Sequence, residues 1–396
     1  MDLRDTPEQA AFRAEVRSWI ERNLPEGWRE GKVREPEDAT ERVAFLKRWQ
    51  RKLYDGGWAG LNWPKEYGGR AIGHIEYLIW AEEYTRLEAP NMINLSVGAA
   101  LVGPTIMAHG KPWQKEHFLQ KILTGEEIWC QGFSEPNAGS DLASLRTRGE
   151  VRGDKIVVQG QKTWTSFAHQ ADHCILVVRT DPQSVRHKGL SFLLVDMKSP
   201  GITIRPLVEM TGEAWFNEVF FDGCEVPIEN VVGEVNRGWD IVMHTLAHER
   251  GSSAQHARLA AEVERLIAIC RKLPRGDGKT AADDPLVRQK LMDFVAQNMI
   301  LRMTAYRNAS TIEKHGVPGP EGSTLKILWS SLDQRVKEFA VDLLGPAGLV
   351  RRGDPIAVDD GYWAYEALWS RAATIYAGTS EIQRNIVATR VLGLPR

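Results

Sequence analysis

The sequence has few cysteines, and their spacing excludes two common kinds of site. Its 396 residues contain four, Cys130, Cys174, Cys224 and Cys270, widely spaced and without a CxxC pair. Neither a zinc site nor a thioredoxin-like redox pair is therefore indicated. We interpret these residues as reduced, buried thiols of a cytoplasmic protein.

Long apolar runs and a charge bias are also missing. No run approaches the roughly 20 residues that a membrane helix needs, and Met1 to Asp5 lack the apolar core of a signal peptide. The formal net charge is −2, with Lys and Arg scattered along the chain. We therefore expect that the protein binds neither a membrane nor a nucleic acid. We also expect a cytoplasmic location.

Motifs for nucleoside triphosphates, nicotinamide and hydrolysis are absent too. Gly278-Lys279-Thr280 resembles the end of a P-loop, but Leu273 occupies the place of its first glycine. There is no GxGxxG after a strand and no GxSxG nucleophile elbow. His244 and His248 occur as HxxxHE rather than HExxH, so we expect satisfied histidines and no metal site.

The pattern that is present runs from helix to strand to helix. Residues 1–125 read as helical, starting at Thr6-Pro7-Glu8-Gln9, which has the form of a capping box with Pro at the first position. Residues 126–235 contain short β-branched and aromatic runs divided by Gly and Pro, which favour an antiparallel sandwich or barrel. In residues 236–396 the helical period returns, and the polar stretch 274–285 is predicted to be a flexible connection. We take these three ranges as domains.

The most informative stretch is Trp129 to Phe167. A turn-rich segment, SEPNAGSD (134–141), leaves backbone N–H groups and the hydroxyls of Ser134 and Ser140 available for one ligand. GQKTWTS (160–166) then supplies a flat indole and another hydroxyl on what should be a neighbouring strand. Turn amides with hydroxyls suit an anion, and an indole suits a planar ring.

These two motifs resemble the flavin-binding signature of the acyl-CoA dehydrogenase family. The resemblance continues, in the family's order, through FNEVFFDGCEVPIENVVGEVNRGW (216–239) and IYAGTSEIQRNIVATRVLG (375–393). It implies an α+β fold with an N-terminal α-helical domain, a middle β domain and a C-terminal four-helix bundle. It also implies FAD as cofactor and conversion of an acyl-CoA to a trans-2-enoyl-CoA. Electrons would leave to an electron-transferring flavoprotein, and the chain would form a homodimer, a homotetramer or a heteromer.

The resemblance assigns roles to individual residues. Trp164 would cover the flavin ring, Ser166 would bond near its N5, and the backbone N–H of Ala377 would bind the thioester oxygen. Cofactor contacts are expected from Gln131, Phe133, Ser134, Gly139, Ser140, Trp164, Thr165, Ser166, Thr379 and Glu381. Substrate contacts are expected from Ser140, Arg250 and Gly378.

The catalytic base departs from the commonest pattern. Family members usually carry a Glu before the Gly-Thr of the C-terminal motif, whereas this chain has Ala377, whose methyl group cannot accept a proton. In the long-chain and isovaleryl branches the Glu lies on an earlier helix, directly before an Arg. Glu249-Arg250 resembles that arrangement, so the base role is carried to Glu249, although such a charged pair is more often a solvated helix face.

Other differences from the family keep alternatives open. The Arg-x-Thr-Phe-Gly stretch that reaches a neighbouring subunit's flavin is not found after Arg271, and Asp342 replaces the Gln of a second intersubunit contact. A non-identical subunit could complete the flavin site, and a flavin monooxygenase or nitroalkane-type oxidase of the same fold is a further alternative.

Overall fold

The computed structural model describes residues 4–93, 95–249, 254–316 and 319–395, with the backbone alone at 95, 96 and 249. By its internal contacts the chain divides into two compact units. The sheet unit comprises Pro25–Ile72 and Pro90–Glu249, and the helical unit comprises Met1–Leu24, Gly73–Ala89 and Arg250–Arg396.

The sheet unit is built around one eight-stranded sheet. Its strands are β1 (Trp129–Gly132), β2 (Arg148–Arg152), β3 (Lys155–Lys162), β4 (His173–Arg179), β5 (Leu190–Asp196), β6 (Ile202–Leu207), β7 (Phe216–Pro227) and β8 (Val231–Val232). The strand order is β6-β7-β3-β2-β4-β5-β8, and β1 pairs with β4. Pairing is antiparallel except between β1 and β4 and at the single β2–β4 pair. The middle of the chain is thus the predicted, mainly antiparallel β region.

Alternating side chains explain why these segments pair as strands. In β7, residues 217, 219, 221 and then 224 and 226 are buried, while those between them are half-buried or exposed. β4 and β5 instead read as almost continuous buried runs, because both of their faces are covered. Leu190, Phe192 and Leu194 belong to one apolar cluster of this unit, while Leu193 and Val195 belong to another.

Helices of the same unit cover the sheet. They are α2 (Ala39–Asp55), α4 (Gly103–His109), α5 (Pro112–Thr124) and α6 (Gly238–Glu249), with a π-helical segment at Leu95–Val102. Gly103 is required where this segment joins α4, since an added Cβ would lie 1.8 Å from Cζ2 of Trp63. The small residues noted in this region therefore serve close packing.

The helical unit contains α1 (Pro7–Asn23), α3 (His74–Arg86), α7 (Gln255–Cys270), α8 (Pro285–His315), α9 (Gly322–Leu344), α10 (Tyr362–Trp369) and α11 (Ser380–Ile386). Its core includes Leu78 from α3, Leu266 from α7, Phe294 from α8 and Val336 from α9. The predicted capping box is present: Thr6 Oγ1 accepts from the Gln9 N–H at 3.3 Å, and Gln9 Oε1 accepts from the Thr6 N–H at 2.9 Å.

The helix–strand–helix order and the α+β class predicted from the sequence are confirmed, but one connection differs. The polar stretch 274–285, predicted to be flexible, contains a hairpin of β9 (Pro274–Gly276) and β10 (Lys279–Thr280). Glycines at 276 and 278, with φ of 86° and 68°, permit this tight turn. Across the described ranges, no helix is both long and apolar enough to cross a bilayer.

Candidate functional site

The SEPNAGSD segment forms a tight, well-anchored loop after β1. Glu135 and Ala138 exchange backbone hydrogen bonds of 3.0 Å each, which closes a turn over Pro136 and Asn137. Pro136, Asn137, Gly139 and Ser140 are exposed at the tip, whereas Glu135 and Ala138 are buried. The loop therefore presents its polar tip outward from a fixed base.

A buried ion pair fixes the base of this loop. Lys162, at the end of β3, has no exposed surface, and its Nζ donates to Glu135 Oε1 at 2.9 Å and to the Phe133 carbonyl at 3.0 Å. The Glu135 carboxylate also accepts from the backbone N–H groups of Arg146 (2.7 Å) and Thr147 (2.9 Å). Each charge is thus paired and hydrogen-bonded, as a buried charge requires.

The second motif continues directly after Lys162 of this ion pair. The Thr163 N–H donates to the Ser134 carbonyl at 2.9 Å, so the two predicted halves of the signature are adjacent. Trp164 follows with a φ of 57°, a left-handed conformation that is unusual for a bulky residue, and its side chain is 61% exposed. A large indole held outward by a strained backbone is typical of a functional position.

Asn217 of β7 holds the backbone on the other side of Trp164. The Thr165 N–H donates to the Asn217 carbonyl at 3.0 Å, and Asn217 Nδ2 donates to the Thr165 carbonyl at 2.9 Å. The Asn217 side chain is oriented in turn by a 3.1 Å hydrogen bond between Oδ1 and His169 Nδ1. Phe167, also left-handed at φ 56°, donates from its N–H to the Trp215 carbonyl.

The loop and the Trp164 strand end fit a planar cofactor with an anionic tail. Among the described residues the hydroxyls of Ser134, Ser140 and Ser166 have no hydrogen-bond partner, and the indole of Trp164 offers a flat exposed surface. A Cβ added to Gly139 would meet nothing within 4 Å, so the space beside the tip is open. Hydroxyls, open backbone and an indole form a donor set that suits the phosphates and ring of FAD.

Three of the predicted cofactor residues can offer little or none of their side chains. Phe133 is 4% exposed and packs edge-to-face on Phe192, so a contact from Phe133 would have to come from its backbone. Thr165 is fully buried, with both backbone groups engaged by Asn217 and its Oγ1 without a partner in the described structure. Gln131 lies on β1 and is half-buried.

In the helical unit, the C-terminal motif forms a strained turn before α11. Ala377 and Gly378 have φ of 54° and 82°. Gln383 Nε2 donates to the Ala377 carbonyl at 2.8 Å and to the Gly378 carbonyl at 3.3 Å. Thr379 caps α11 through a 3.3 Å bond from the Ile382 N–H to its Oγ1.

The remaining predicted site residues are Glu381, at the start of α11, Glu249, at the end of α6, and Arg250, which follows Glu249 in the sequence. Glu381 is exposed, and hydrogen bonds from its own backbone and from Thr379 lower the pKa of its carboxyl group. Glu249 is the last residue of α6, and its side chain lies outside the described residues, as does the whole of Arg250.

The histidines beside Glu249 form a cluster with a third histidine. His244 Nε2 lies 3.3 Å from His248 Nε2, and the His109 ring packs edge-on against His244 at 4.8 Å between centroids. Burial lowers the pKa of both His109 and His244. Within the described ranges no three His, Cys, Asp or Glu side chains are arranged to hold a metal ion.

The buried anchoring roles of four residues at these places were not predicted from the sequence: Glu135, Lys162, Asn217 and Gln383. For two of them a signal existed. In the alternation of β3, Lys162 occupies an inward position like the buried Ile156 and Val158. In β7, Asn217 occupies an inward position like Val219 and Phe221. A polar residue at an inward position of a strand indicates a buried hydrogen-bonding role.

Comparison with known proteins gives one family along almost the whole chain. Models of the acyl-CoA dehydrogenase N-terminal, middle and C-terminal domains match residues 6–126, 130–224 and 236–392. Acyl-CoA dehydrogenase IpdE1 of Mycobacterium tuberculosis is 42% identical over 97% of both chains.

Solved structures agree with this match. The ChsE4–ChsE5 complex from Mycobacterium tuberculosis contains a chain that is 31% identical, with a TM-score of 0.87 and full coverage of both chains. A structure described as Tcur3481-Tcur3483 steroid ACAD is 31% identical, with a TM-score of 0.86 and the same coverage. The chain therefore belongs to the acyl-CoA dehydrogenase family, whose members are FAD-dependent flavoproteins, and it is an oxidoreductase of that family.

Proposed function

We propose that this protein binds FAD and removes two hydrogens from an acyl-CoA thioester to form a trans-2-enoyl-CoA. The observation that carries the proposal is the junction of the two signature halves. Lys162, Glu135 and the Thr163–Ser134 bond place the polar loop tip beside an exposed, outward-held Trp164. We also keep the division into domains 1–125, 126–235 and 236–396 as a proposal.

Each of the chain's own groups has a defined task in this reaction. Glu249 removes the α-proton, which is weakly acidic and becomes removable only if the developing charge on the thioester oxygen is stabilised. The Ala377 N–H supplies a donor for that oxygen, with Ser140, Arg250 and Gly378 contacting the substrate. Ser134, Ser140, Ser166, Thr379 and Glu381 hold the cofactor, and the indole of Trp164 covers its ring. Bound flavin would supply the acceptor for the hydride that leaves the β-carbon.

The assignment of Glu249 rests on its position. It ends a helix of the sheet unit and precedes an Arg, which is the arrangement of the long-chain and isovaleryl branches, while the usual position carries Ala377. The electron acceptor in this proposal is an electron-transferring flavoprotein.

The substrate class is proposed from the similar structures. Because the Tcur3481-Tcur3483 protein, 31% identical over the full length, is described as a steroid ACAD, we propose a bulky, ring-bearing acyl group. A suitable panel is octanoyl-CoA, isovaleryl-CoA, cyclohexanecarboxyl-CoA and the CoA thioester of a steroid carrying a carboxylated side chain.

The test is anaerobic bleaching of the purified yellow protein with this panel. Wild-type flavin should bleach, with the enoyl-CoA appearing as product, and Glu249→Gln should keep its flavin but lose bleaching by at least about 1,000-fold, since it removes the base. Undiminished bleaching in Glu249→Gln would refute the base assignment. Oxygen consumption without enoyl-CoA would favour the monooxygenase or oxidase alternative.

An exposed apolar face on α8 supports assembly with another subunit. Met292, Met299 and Met303 lie on one side of this helix at intervals of seven and four residues, and are 54%, 55% and 41% exposed. Apolar side chains gathered on one exposed face mark an interaction surface. The similar ChsE4–ChsE5 structure is a complex of two differently named chains. We propose that this face pairs with a copy of the chain or with a related subunit.

Light scattering and flavin content separate these two assemblies. A yellow dimer or tetramer from this chain alone would support the homo-oligomer. A colourless protein that gains flavin only with a co-expressed related chain would support the heteromer.

A further inference from the structure

The turn that carries Ala377 contains a residue with no assigned role in the reaction, Gln383. Its side chain is 1% exposed and comes from the first turn of α11, directly below Ala377 and Gly378. We infer that Gln383 is a positioning residue that fixes the backbone donor for the thioester oxygen, an inference that rests on the proposed function.

The hydrogen bonds of Gln383 define which way the peptide groups face. Its one Nε2 atom donates to two successive carbonyls, Ala377 at 2.8 Å and Gly378 at 3.3 Å. In a trans peptide the C=O and the following N–H point in opposite directions. The N–H groups of Gly378 and Thr379 therefore point away from Gln383.

The same bonds fix the N–H of Ala377. The Ala377 carbonyl plane is held by Gln383, and the φ of 54° together with ψ then sets where the Ala377 N–H points relative to that plane. A left-handed alanine is unfavourable by itself. Gln383 is thus the contact that holds Ala377 in a conformation it would not adopt unaided.

The turn is anchored on its other side as well. The N–H groups of Ile375 and Tyr376 donate to the Ala372 carbonyl at 2.9 and 3.0 Å, and Lys326 Nζ donates to the Ala373 carbonyl. In the described part of the chain, the N–H groups of Ala377, Gly378 and Thr379 have no acceptor. A turn held from behind with its donors open is the form of an oxyanion-binding element.

Gly378 is required by the same contact. A Cβ at this position would lie 2.6 Å from Gln383 Nε2, and the φ of 82° is left-handed. The glycine therefore lets the Gln383 amide approach both carbonyls, and the pair acts as one unit.

The decisive variant is Gln383→Met, which keeps the side-chain volume and removes the amide. Gln334→Met is the matched control, because Gln334 Nε2 also donates to backbone carbonyls, those of Ser370 and Arg371, before the turn. Both variants lose comparable bonds in the same unit. Only Gln383→Met frees the carbonyls of Ala377 and Gly378.

Two readouts separate positioning from structural support. One is the rate of flavin bleaching by the panel acyl-CoA that bleaches wild type fastest. The other uses the 3-thia analogue of that acyl-CoA, whose β-sulfur prevents hydride loss while leaving the α-proton removable. Exchange of its α-hydrogen for solvent deuterium, followed by mass spectrometry, then reports proton removal alone.

Gln383→Met should keep its flavin and lose about 100-fold in both rates, as a misplaced group does. The apparent KM should change little, since the donor matters most when charge develops on the oxygen. Gln334→Met should stay within about threefold of wild type in both rates.

Gln383→Glu gives an independent check with an isosteric side chain. Below the pKa of the new carboxyl group its O–H can donate to one carbonyl, and above it the carboxylate repels both. The exchange rate relative to wild type at the same pH should therefore fall as pH rises.

Wild-type exchange and bleaching rates in both Gln383 variants would overturn this inference while leaving the proposed function intact, as would equal losses in Gln334→Met. If the wild-type protein itself neither bleaches nor exchanges with any member of the panel, the proposed function fails and the inference fails with it.

Discussion

The loop at residues 133–141 and the turn at residues 376–379 are each held by one buried side chain, but with different chemistry. Lys162 holds the loop through an ion pair with Glu135, whereas Gln383 holds the turn through a neutral amide. Both side chains reach backbone carbonyls, Phe133 in one case and Ala377 with Gly378 in the other. The difference lies in what remains behind when one partner is removed.

We call the Lys162–Glu135 ion pair the ionic clamp and the Gln383 amide the neutral clamp. Breaking the ionic clamp leaves a buried charge without its partner, whereas breaking the neutral clamp does not. Removing one partner of a buried ion pair costs about 3–5 kcal/mol, because the other charge stays desolvated. Losing a neutral donor costs about 1–3 kcal/mol for the acceptors left unpaired. The loop should therefore be the more fragile part of the proposed site, and the turn should change reactivity more than stability.

The largest expected effect is on Glu135→Gln. This change leaves the fully buried Lys162 ammonium with neutral acceptors only, the amide oxygen at position 135 and the Phe133 carbonyl, and no compensating charge. We expect the free energy of unfolding to fall by about 3–5 kcal/mol in urea denaturation, with loss of bound flavin. Glu150→Gln breaks an exposed pair with Arg152 in the same sheet and should have no measurable effect.

The Glu135 prediction includes a pH dependence. Burial raises the pKa of Glu135, but the charge of Lys162 and the hydrogen bonds from Thr147, Lys162 and Arg146 outweigh it, so its pKa lies below the usual 4.5. A carboxyl group with a lowered folded pKa stabilises the protein above its unfolded pKa and loses that contribution as pH falls through the folded one. The stability gap between wild type and Glu135→Gln should thus shrink below about pH 4.5. A gap that stays constant from about pH 6.5 to pH 3.5 would contradict an ionic clamp.

A smaller effect is expected at Asn217, the neutral contact within the sheet unit. Asn217→Ala leaves the buried Thr165 carbonyl without its side-chain donor and frees His169. We expect a loss of about 1–3 kcal/mol in stability. FAD affinity should fall, because Trp164 and Phe167 lose the support for their left-handed conformations.

The control for Asn217 lies in the same unit. Asn230 Nδ2 donates to the Leu194 carbonyl at 2.9 Å, and neither residue belongs to the segments 134–141 or 160–166. Asn230→Ala should lower stability similarly while leaving FAD affinity unchanged, as measured by fluorescence titration. An equal loss of FAD affinity in both variants would mean that Asn217 acts only through global stability.

The sequence predicts the fold better than it predicts these clamps, for a physical reason. The capping box at Thr6 and the alternation in β7 depend on neighbours within a few residues, so local patterns reveal them. The Lys162–Glu135 pair joins residues 27 apart, and only the inward parity of Lys162 indicates it. Gln383 has no such signal, because its role depends on the left-handed turn that precedes a seven-residue helix.

Ala377→Gly should change the protein least, and it tests whether Gln383 alone holds the turn in shape. Glycine relieves the left-handed strain of about 1–2 kcal/mol and adds unfolded-state freedom worth about 0.5–1 kcal/mol. These two terms nearly cancel, so stability should change by less than about 1 kcal/mol. The N–H is retained, and Gln383 still holds the carbonyl. Flavin bleaching should therefore stay within about threefold of wild type. If bleaching instead falls more than about tenfold with flavin still bound, the alanine methyl group rather than Gln383 would be what keeps the turn in shape, and the neutral clamp would lose its assigned role.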